Sequence, residues 1–171
     1  SGRDLESIAT EFGVSKLDAM QKLLPGGAIY FMMDESDIER IMTSNNAMIG
    51  SDGLPEDTHP HPRLWGTFPR VLGHYARDRQ VMPMYDAVNR MTGLPAKNFH
   101  LVGRGMLKPG FFADVTIFNH DTIIDRATFE RPKQKSLGVE QVIVNGKSAW
   151  IDGKCVGAGQ GKVLKRCDRK K

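Results

Sequence analysis

Leu5, Ile8, Ala9 and Phe12 recur at helical spacing between Asp4 and Gly13. Apolar side chains three and four apart share one helix face, and Asp before them with Gly after them supplies both caps, so a short first helix is predicted. Leu17, Met20, Leu23 and Leu24 repeat the pattern behind Ser15, which with Asp18 resembles a capping box, until Pro25 stops it. The period then changes. Ala28 to Met33 is a continuous apolar run between Gly27 and Asp34, as expected of a strand buried on both faces. Ser36 and Glu39 supply another capping pattern for a helix through Ile38, Ile41 and Met42, ended by Asn45 and Asn46. A second apolar run, Ala47 to Ile49, leads into Gly50-Ser51-Asp52-Gly53. Strand, helix, strand is the unit of an α/β fold.

Leu54 to Gly66 is broken by prolines and has no periodicity, and loops of that length commonly carry function. Helices are expected over Thr67 to Arg79 and over Pro83 to Met91, with Gly93 just past the end, and a short one after Pro95. Beyond Leu101 the grammar turns to β: Ala113 to Phe118, Val139 to Val144 and Ser148 to Ile151, with Asn145-Gly146 and Asp152-Gly153 as tight-turn signals. Asn119 to Gly138 is polar and mixed and reads as an irregular excursion. The chain thus divides into an α/β part, residues 1–100, and a β-rich part, residues 101–171.

Composition narrows the function classes. The 171 residues are 40% hydrophobic and 26% charged, ordinary for a globular core. The net charge of +4 comes from the last ten residues, which from Lys162 carry six Lys or Arg and one Asp. A basic tail without interleaved aromatics reads as a solvated terminus, so nucleic acid is not an expected partner. Neither a membrane-spanning run nor a signal-peptide core is visible, making the cytoplasm the default location. Cys155 and Cys167 have no zinc-binding spacing and read as free thiols. The opening Ser-Gly-Arg, without an initiating Met, suggests a processed product, a designed chain or a fragment.

Longer stretches are more specific. Met48-Ile-Gly-Ser-Asp-Gly-Leu-Pro55, His59-Pro-His-Pro-Arg-Leu-Trp-Gly-Thr-Phe-Pro-Arg-Val-Leu-Gly73 and Arg90-Met-Thr-Gly-Leu-Pro95 resemble the D-aminoacylases, the N-acyl-D-amino-acid deacylases of the amidohydrolase superfamily. Gly103-Arg-Gly105, Lys108-Pro-Gly110, Ala113-Asp114 and Val142-Ile-Val-Asn-Gly146 are similar to the superfamily's returning β segment. The resemblance covers nearly the whole chain and implies the C-terminal part of a TIM (β/α)8 barrel plus strands of the small β-sandwich domain. A whole barrel takes about 250 residues. Ala28 to Met33 would be the seventh barrel strand and Ala47 to Ser51 the eighth, with six more supplied by an N-terminal part of the same enzyme. The implied reaction is zinc-dependent hydrolysis of small N-acyl-D-amino acids to a carboxylate and a D-amino acid. The Cys and His ligands of the tight Zn2+ site would lie in that N-terminal part, leaving this chain inactive alone.

Asp52, at the end of a predicted strand before a glycine, could by position simply cap a turn. The flanking match favours a catalytic role: in the family this aspartate is the general base, taking a proton from the attacking water and returning it to the departing amine, and touching a weaker second metal site. Arg63 ends the His-Pro-His-Pro-Arg segment, and the resemblance implies that it grips the substrate's α-carboxylate. His59 and His61 have a familiar zinc spacing, but prolines stiffen the segment and the family's metal-binding His-x-His lies on the first strand, so both are read as loop-ordering. His74 reads as a helix-face residue, and His100 and His120 have no role. Gly103-Arg-Gly105 is turn chemistry rather than a dinucleotide loop, since no helix follows. Trp65 and Phe68 are placed against the barrel mouth or in ordinary packing, and Asp114 is read as structural. Two other readings stand beside this one: a cyclic-amide hydrolase of the dihydroorotase or hydantoinase kind, which would lack the His-Pro-His-Pro-Arg loop, and a non-catalytic module.

Overall fold

The computed structural model describes residues 2–55 and 58–164. Helix α1 spans Leu5–Phe12, where the Asp4 carboxylate accepts from the Ser7 N–H at 2.8 Å and Gly13 turns left-handed at φ 62°. Helix α2 spans Lys16–Leu23 and starts on Ser15, as its sequence predicts. Helix α3, Glu35–Met42, starts differently from expectation: Asp34, not Ser36, is its cap, accepting from the Ser36 N–H at 2.8 Å. Asp34 is still extended while its carboxylate reaches over the first turn, where an anion is favoured.

The expected helix at Thr67 begins four residues earlier. Helix α4 covers Arg63–Arg70 and runs directly into a π-helical segment, Val71–Asp78. Arg63 therefore stands in the first turn of a helix rather than in the preceding loop. Pro69 lies inside α4 and cannot donate to the Trp65 carbonyl one turn back, and the Ser136 hydroxyl donates to that carbonyl at 3.3 Å instead. Helix α5, Met84–Met91, follows where Pro83 predicts it, whereas α6, Gly93–Asn98, starts at Gly93, before the Pro95 after which the sequence predicts it.

The β-rich part is one antiparallel sheet, β1 (Val115–Phe118), β2 (Val139–Val144), β3 (Lys147–Ile151) and β4 (Lys154–Cys155), in that order. Asn145 and Gly146, at φ 49° and 80°, make the β2–β3 turn; Asp152 and Gly153, at 44° and 78°, make the next. Asp114 is structural as expected: one oxygen accepts from the Asn145 N–H at 2.8 Å and the other pairs with Arg104. Gly103 and Gly105 both have positive φ, confirming turn chemistry there. Cys155 is a free, exposed thiol, whereas Cys167 and the tail from residue 165 lie outside the described residues.

The core gathers Met42, Val71, Leu72, Tyr75, Ala76, Met82, Ala87 and Ile123. Ile123 comes from the excursion between β1 and β2, which had no assigned place, yet it is 1% exposed. Two features seat it. A Cβ on Gly73 would fall 2.1 Å from the Ile123 carbonyl oxygen, so the helical backbone rests directly on the excursion. Arg77 Nη1 then donates to the carbonyls of His120, Asp121 and Ile123 at 3.2, 3.1 and 2.8 Å. The excursion is a core-closing strap.

The two expected strands depart most from prediction. Residues 28–33 and 47–51 carry no strand ladder among the described residues, and Ile29, Tyr30, Phe31, Met32 and Met33 are exposed. A strand apolar on both faces forms a ladder only where neighbours flank it and layers cover it. Within the described residues Phe31 finds one aromatic partner, the Phe129 ring, edge-on at 4.7 Å. No helix among the described residues is long and apolar enough to cross a membrane.

Gly73→Ala is expected to destabilise the protein by about 1–3 kcal/mol through overpacking, whereas Gly27→Ala, whose added methyl would meet nothing within 4 Å, should shift stability by under about 0.5 kcal/mol. Urea denaturation of the two variants checks this; equal midpoints would show that the strap does not need the glycine.

Candidate active site

The two residues singled out for chemistry meet. Asp52 follows the extended segment 47–51 in a left-handed conformation, φ 46°, and its Oδ2 lies 2.7 Å from Arg63 Nη2. Arg63 Nε donates to the Asp52 backbone carbonyl at 2.8 Å, so one guanidinium holds both the side chain and the main chain of Asp52. Gly53 allows the approach: a Cβ there would sit 2.8 Å from Leu64 Cα, in the first turn of α4. The carboxylate is 80% exposed and the guanidinium 40%, leaving both reachable from solvent.

The entry to segment 47–51 is fixed by Arg90, the one buried charged residue among those described, at 5% exposure. Its Nη1 donates to the carbonyls of Ser44 and Ala47, its Nε pairs with Asp86 at 2.9 Å, and its own carbonyl accepts from the Ile49 N–H at 3.0 Å. A buried cation is tolerable only when its donors are occupied, and here they fasten the turn that leads to Asp52. Sequence reasoning missed this role. The i,i+4 spacing of Asp86 and Arg90 signals the ion pair, but nothing local signals the burial.

His59 and His61 organise the loop, as their proline-stiffened segment suggests. His59 Nε2 donates to the Phe129 carbonyl at 2.6 Å, and Pro60 between them is fully buried. His61 Nδ1 accepts from the Arg63 N–H at 3.0 Å, and its ring meets the edge of Phe129 at 5.1 Å. Burial, and secondarily the Arg63 charge, hold the His61 imidazole below its usual value, partly offset by Asp52. Among the described residues no group of three or more His, Cys, Asp or Glu could hold a metal ion. His74 lies on the π-helical segment, edge-on to the Tyr75 ring at 4.8 Å and 3.8 Å from a Glu35 oxygen. His120 pairs with Asp121 at 3.0 Å in the strap after β1. Trp65 and Phe68 are both partly exposed on α4.

This geometry can be set beside known proteins. The amidohydrolase family profile matches residues 10–149. The chain belongs to the amidohydrolase family. It is 54% identical to the D-aminoacylase of Alcaligenes xylosoxydans xylosoxydans over 166 residues, 97% of this chain and 34% of that one. A crystal structure of a D-aminoacylase superposes with a TM-score of 0.92 at 54% identity, covering 97% of this chain and 35% of the other. The Bordetella Bronchiseptica N-acyl-D-glutamate deacylase, solved with zinc and a phosphonate inhibitor mimicking the tetrahedral intermediate, gives the same TM-score at 47% identity, covering 98% and 35%. The chain therefore spans about a third of the length of these amidohydrolases.

His61 provides the pH test. Its folded-state pKa lies below 6.5, so the unfolded chain takes up a proton first as pH falls. The stability from the neutral ring is fully present above about pH 6.5 and lost on acidification toward the folded pKa. NMR titration should place the His61 midpoint below 6.5, and a midpoint above it would contradict the burial. For the entry clamp, Arg90→Ala should cost about 2–4 kcal/mol in thermal or urea denaturation, from two stranded carbonyls and a half-released carboxylate; a loss within error would show that water replaces the guanidinium.

Proposed function

We propose that the protein hydrolyses the amide bond of N-acyl-D-amino acids, giving a carboxylate and a D-amino acid, and that it does so together with a further, N-terminal part of the same enzyme. The observation that carries this reading is the meeting of Asp52 and Arg63 within 2.7 Å at the end of segment 47–51, in a chain 54% identical to a D-aminoacylase. Residues 28–33 and 47–51 are the seventh and eighth strands of a TIM barrel on this reading, and β1 to β4 belong to the small β domain. Their exposed apolar side chains support it, because such runs are made for neighbours on both sides. Active sites of these barrels collect at the C-terminal strand ends, which is where Asp52 stands in its own segment.

Two charges of opposite sign suit two different tasks. Asp52 takes the proton of the attacking water and returns it to the leaving amine, one carboxylate serving both steps. Arg63 presents a planar fork of donors that matches a carboxylate, so the free α-carboxylate of an acyl amino acid is its partner. Exchange is cheap: an ion pair this exposed contributes little on its own, and a substrate carboxylate can replace Asp52 on the guanidinium while leaving Asp52 free to act. Arg63 Nε keeps its bond to the Asp52 carbonyl meanwhile, holding the two residues in register.

Zinc is the metal of the intact enzyme in this proposal, following the zinc-bound deacylase. The described residues do not make a zinc site by themselves, since zinc takes three or four protein ligands and Asp52 brings one. A bound metal would supply Lewis-acid polarisation of the scissile carbonyl.

Asp52→Asn in the full-length enzyme should lower kcat on an N-acyl-D-amino acid by at least about 10²-fold with the thermal midpoint preserved. Turnover at the wild-type rate would reduce Asp52 to a turn cap and favour a non-catalytic role.

A further inference from the structure

We propose that His61 is a positioning residue for substrate binding, acting through Arg63 and without touching substrate or metal. The inference rests on the reading of Arg63 as the carboxylate grip. Helix α4 begins at a residue that cannot cap it: Pro62 occupies the N-cap position and makes no side-chain capping bond. The first turn of a helix leaves backbone N–H groups without intrahelical partners, and the preceding side chain usually takes one. His61 does this from one position further back, its Nδ1 accepting the Arg63 N–H at 3.0 Å.

The acceptor is held in place from the other side. The ring stands edge-on to Phe129 at 5.1 Å and 78°, and the Phe129 carbonyl is tied to His59 Nε2 at 2.6 Å. Phe129 belongs to the same strap that Gly73 and Arg77 bind to the core. A His-x-His pair that looks like metal ligation is thus an anchor and a cap: His59 pins the strap, Pro60 is buried between, and His61 sets where α4 begins. The position of the Arg63 backbone decides where its guanidinium reaches, and the two bonds to Asp52, at 2.8 and 2.7 Å, show that this reach is fitted to within a hydrogen bond.

A positioning role makes a distinction that general stability would not. The Oδ1 of an asparagine stands the same number of bonds from the main chain as Nδ1 of histidine, whereas the Oε1 of a glutamine stands where Nε2 does. His61→Gln in the full-length zinc enzyme should raise KM for an N-acyl-D-amino acid about five- to tenfold, the worth of one helix cap, with kcat changed less than about twofold. His61→Asn should restore most of that affinity. On the corresponding carboxamide, which offers Arg63 no anion, wild type and His61→Gln should have equal KM. Arg63→Gln serves as the reference, raising KM for the acid and not for the carboxamide. Should Arg63→Gln raise KM as stated while His61→Gln and His61→Asn behave alike, or lower kcat instead, the positioning role is wrong and the carboxylate grip stands. Should Arg63→Gln leave KM unchanged, the carboxylate grip itself falls and takes the positioning role with it. Thermal midpoints of both His61 variants within about 2 °C of each other identify the difference in KM as positional; if the KM loss instead tracks a lower midpoint, His61 is only structural.

Discussion

The contact on which most else depends is that of the Gly73 backbone with the Ile123 carbonyl. No side chain fits between them, since a Cβ would lie 2.1 Å from the oxygen. That closeness lets Arg77 reach the strap carbonyls of His120, Asp121 and Ile123 and buries Ile123 among Val71, Leu72 and Tyr75. The strap in turn carries Phe129 to His59 and His61, and Ser136 to the carbonyl that Pro69 leaves unpaired. The helix from Arg63 to Asp78 is therefore held along its length by a segment with almost no regular structure. Its N-terminal end, where Arg63 sits, is capped by the His61 ring that Phe129 of the strap supports.

Arg90 and Arg63 show how the same side chain serves opposite ends by its surroundings. Arg90 is buried, its partners are two carbonyls and the neighbouring Asp86, and losing it would leave all three without their donor. Arg63 is solvent-accessible, and its ion pair with a mostly exposed carboxylate costs little to exchange. A clamp should resist exchange, whereas the ligand grip that the proposed reading makes of Arg63 should permit it. The segment 47–51 is fastened at its entry by the first and met at its exit by the second, so Asp52 projects from backbone that is fixed while its carboxylate stays free to trade partners.

Helices, caps and hairpins were legible because their causes are local. Asp4, Ser15, Gly13 and Asn145-Gly146 act on backbone groups within a few residues, and each is found where the sequence places it. The early start of α4 was hidden because prolines at 60 and 62 argue for a loop, while the cap that permits a helix at Arg63 comes from an imidazole at an unusual position. The strap was hidden for a different reason. Its burial depends on a glycine some 50 residues away and on guanidinium bonds to main-chain oxygens, and neither leaves a period in the sequence. Asp52 and Arg63 meet across eleven residues of sequence, but the motif suggested two roles rather than one pair.

The segment 28–33 shows that a strong sequence signal can exceed what a stretch of chain can satisfy. Six apolar residues in a row predict burial on both faces, and extended backbone there has donors and acceptors that a ladder would pair. Within the described residues the segment has Phe129 against Phe31 and little else, whereas 47–51 is tethered by the Ile49 to Arg90 bond. The difference is one of neighbours: α5 lies over the entry to 47–51 and fastens it, while no described element plays that part for 28–33. The chain is a third of the length of the amidohydrolases it matches, and on the proposed reading the remainder of the barrel pairs the open edge of 28–33 and covers its faces. On that reading the metal follows the same rule. Asp52 brings one of the three or four ligands zinc takes, so apolar burial and metal ligation would both draw on the same further stretch of barrel.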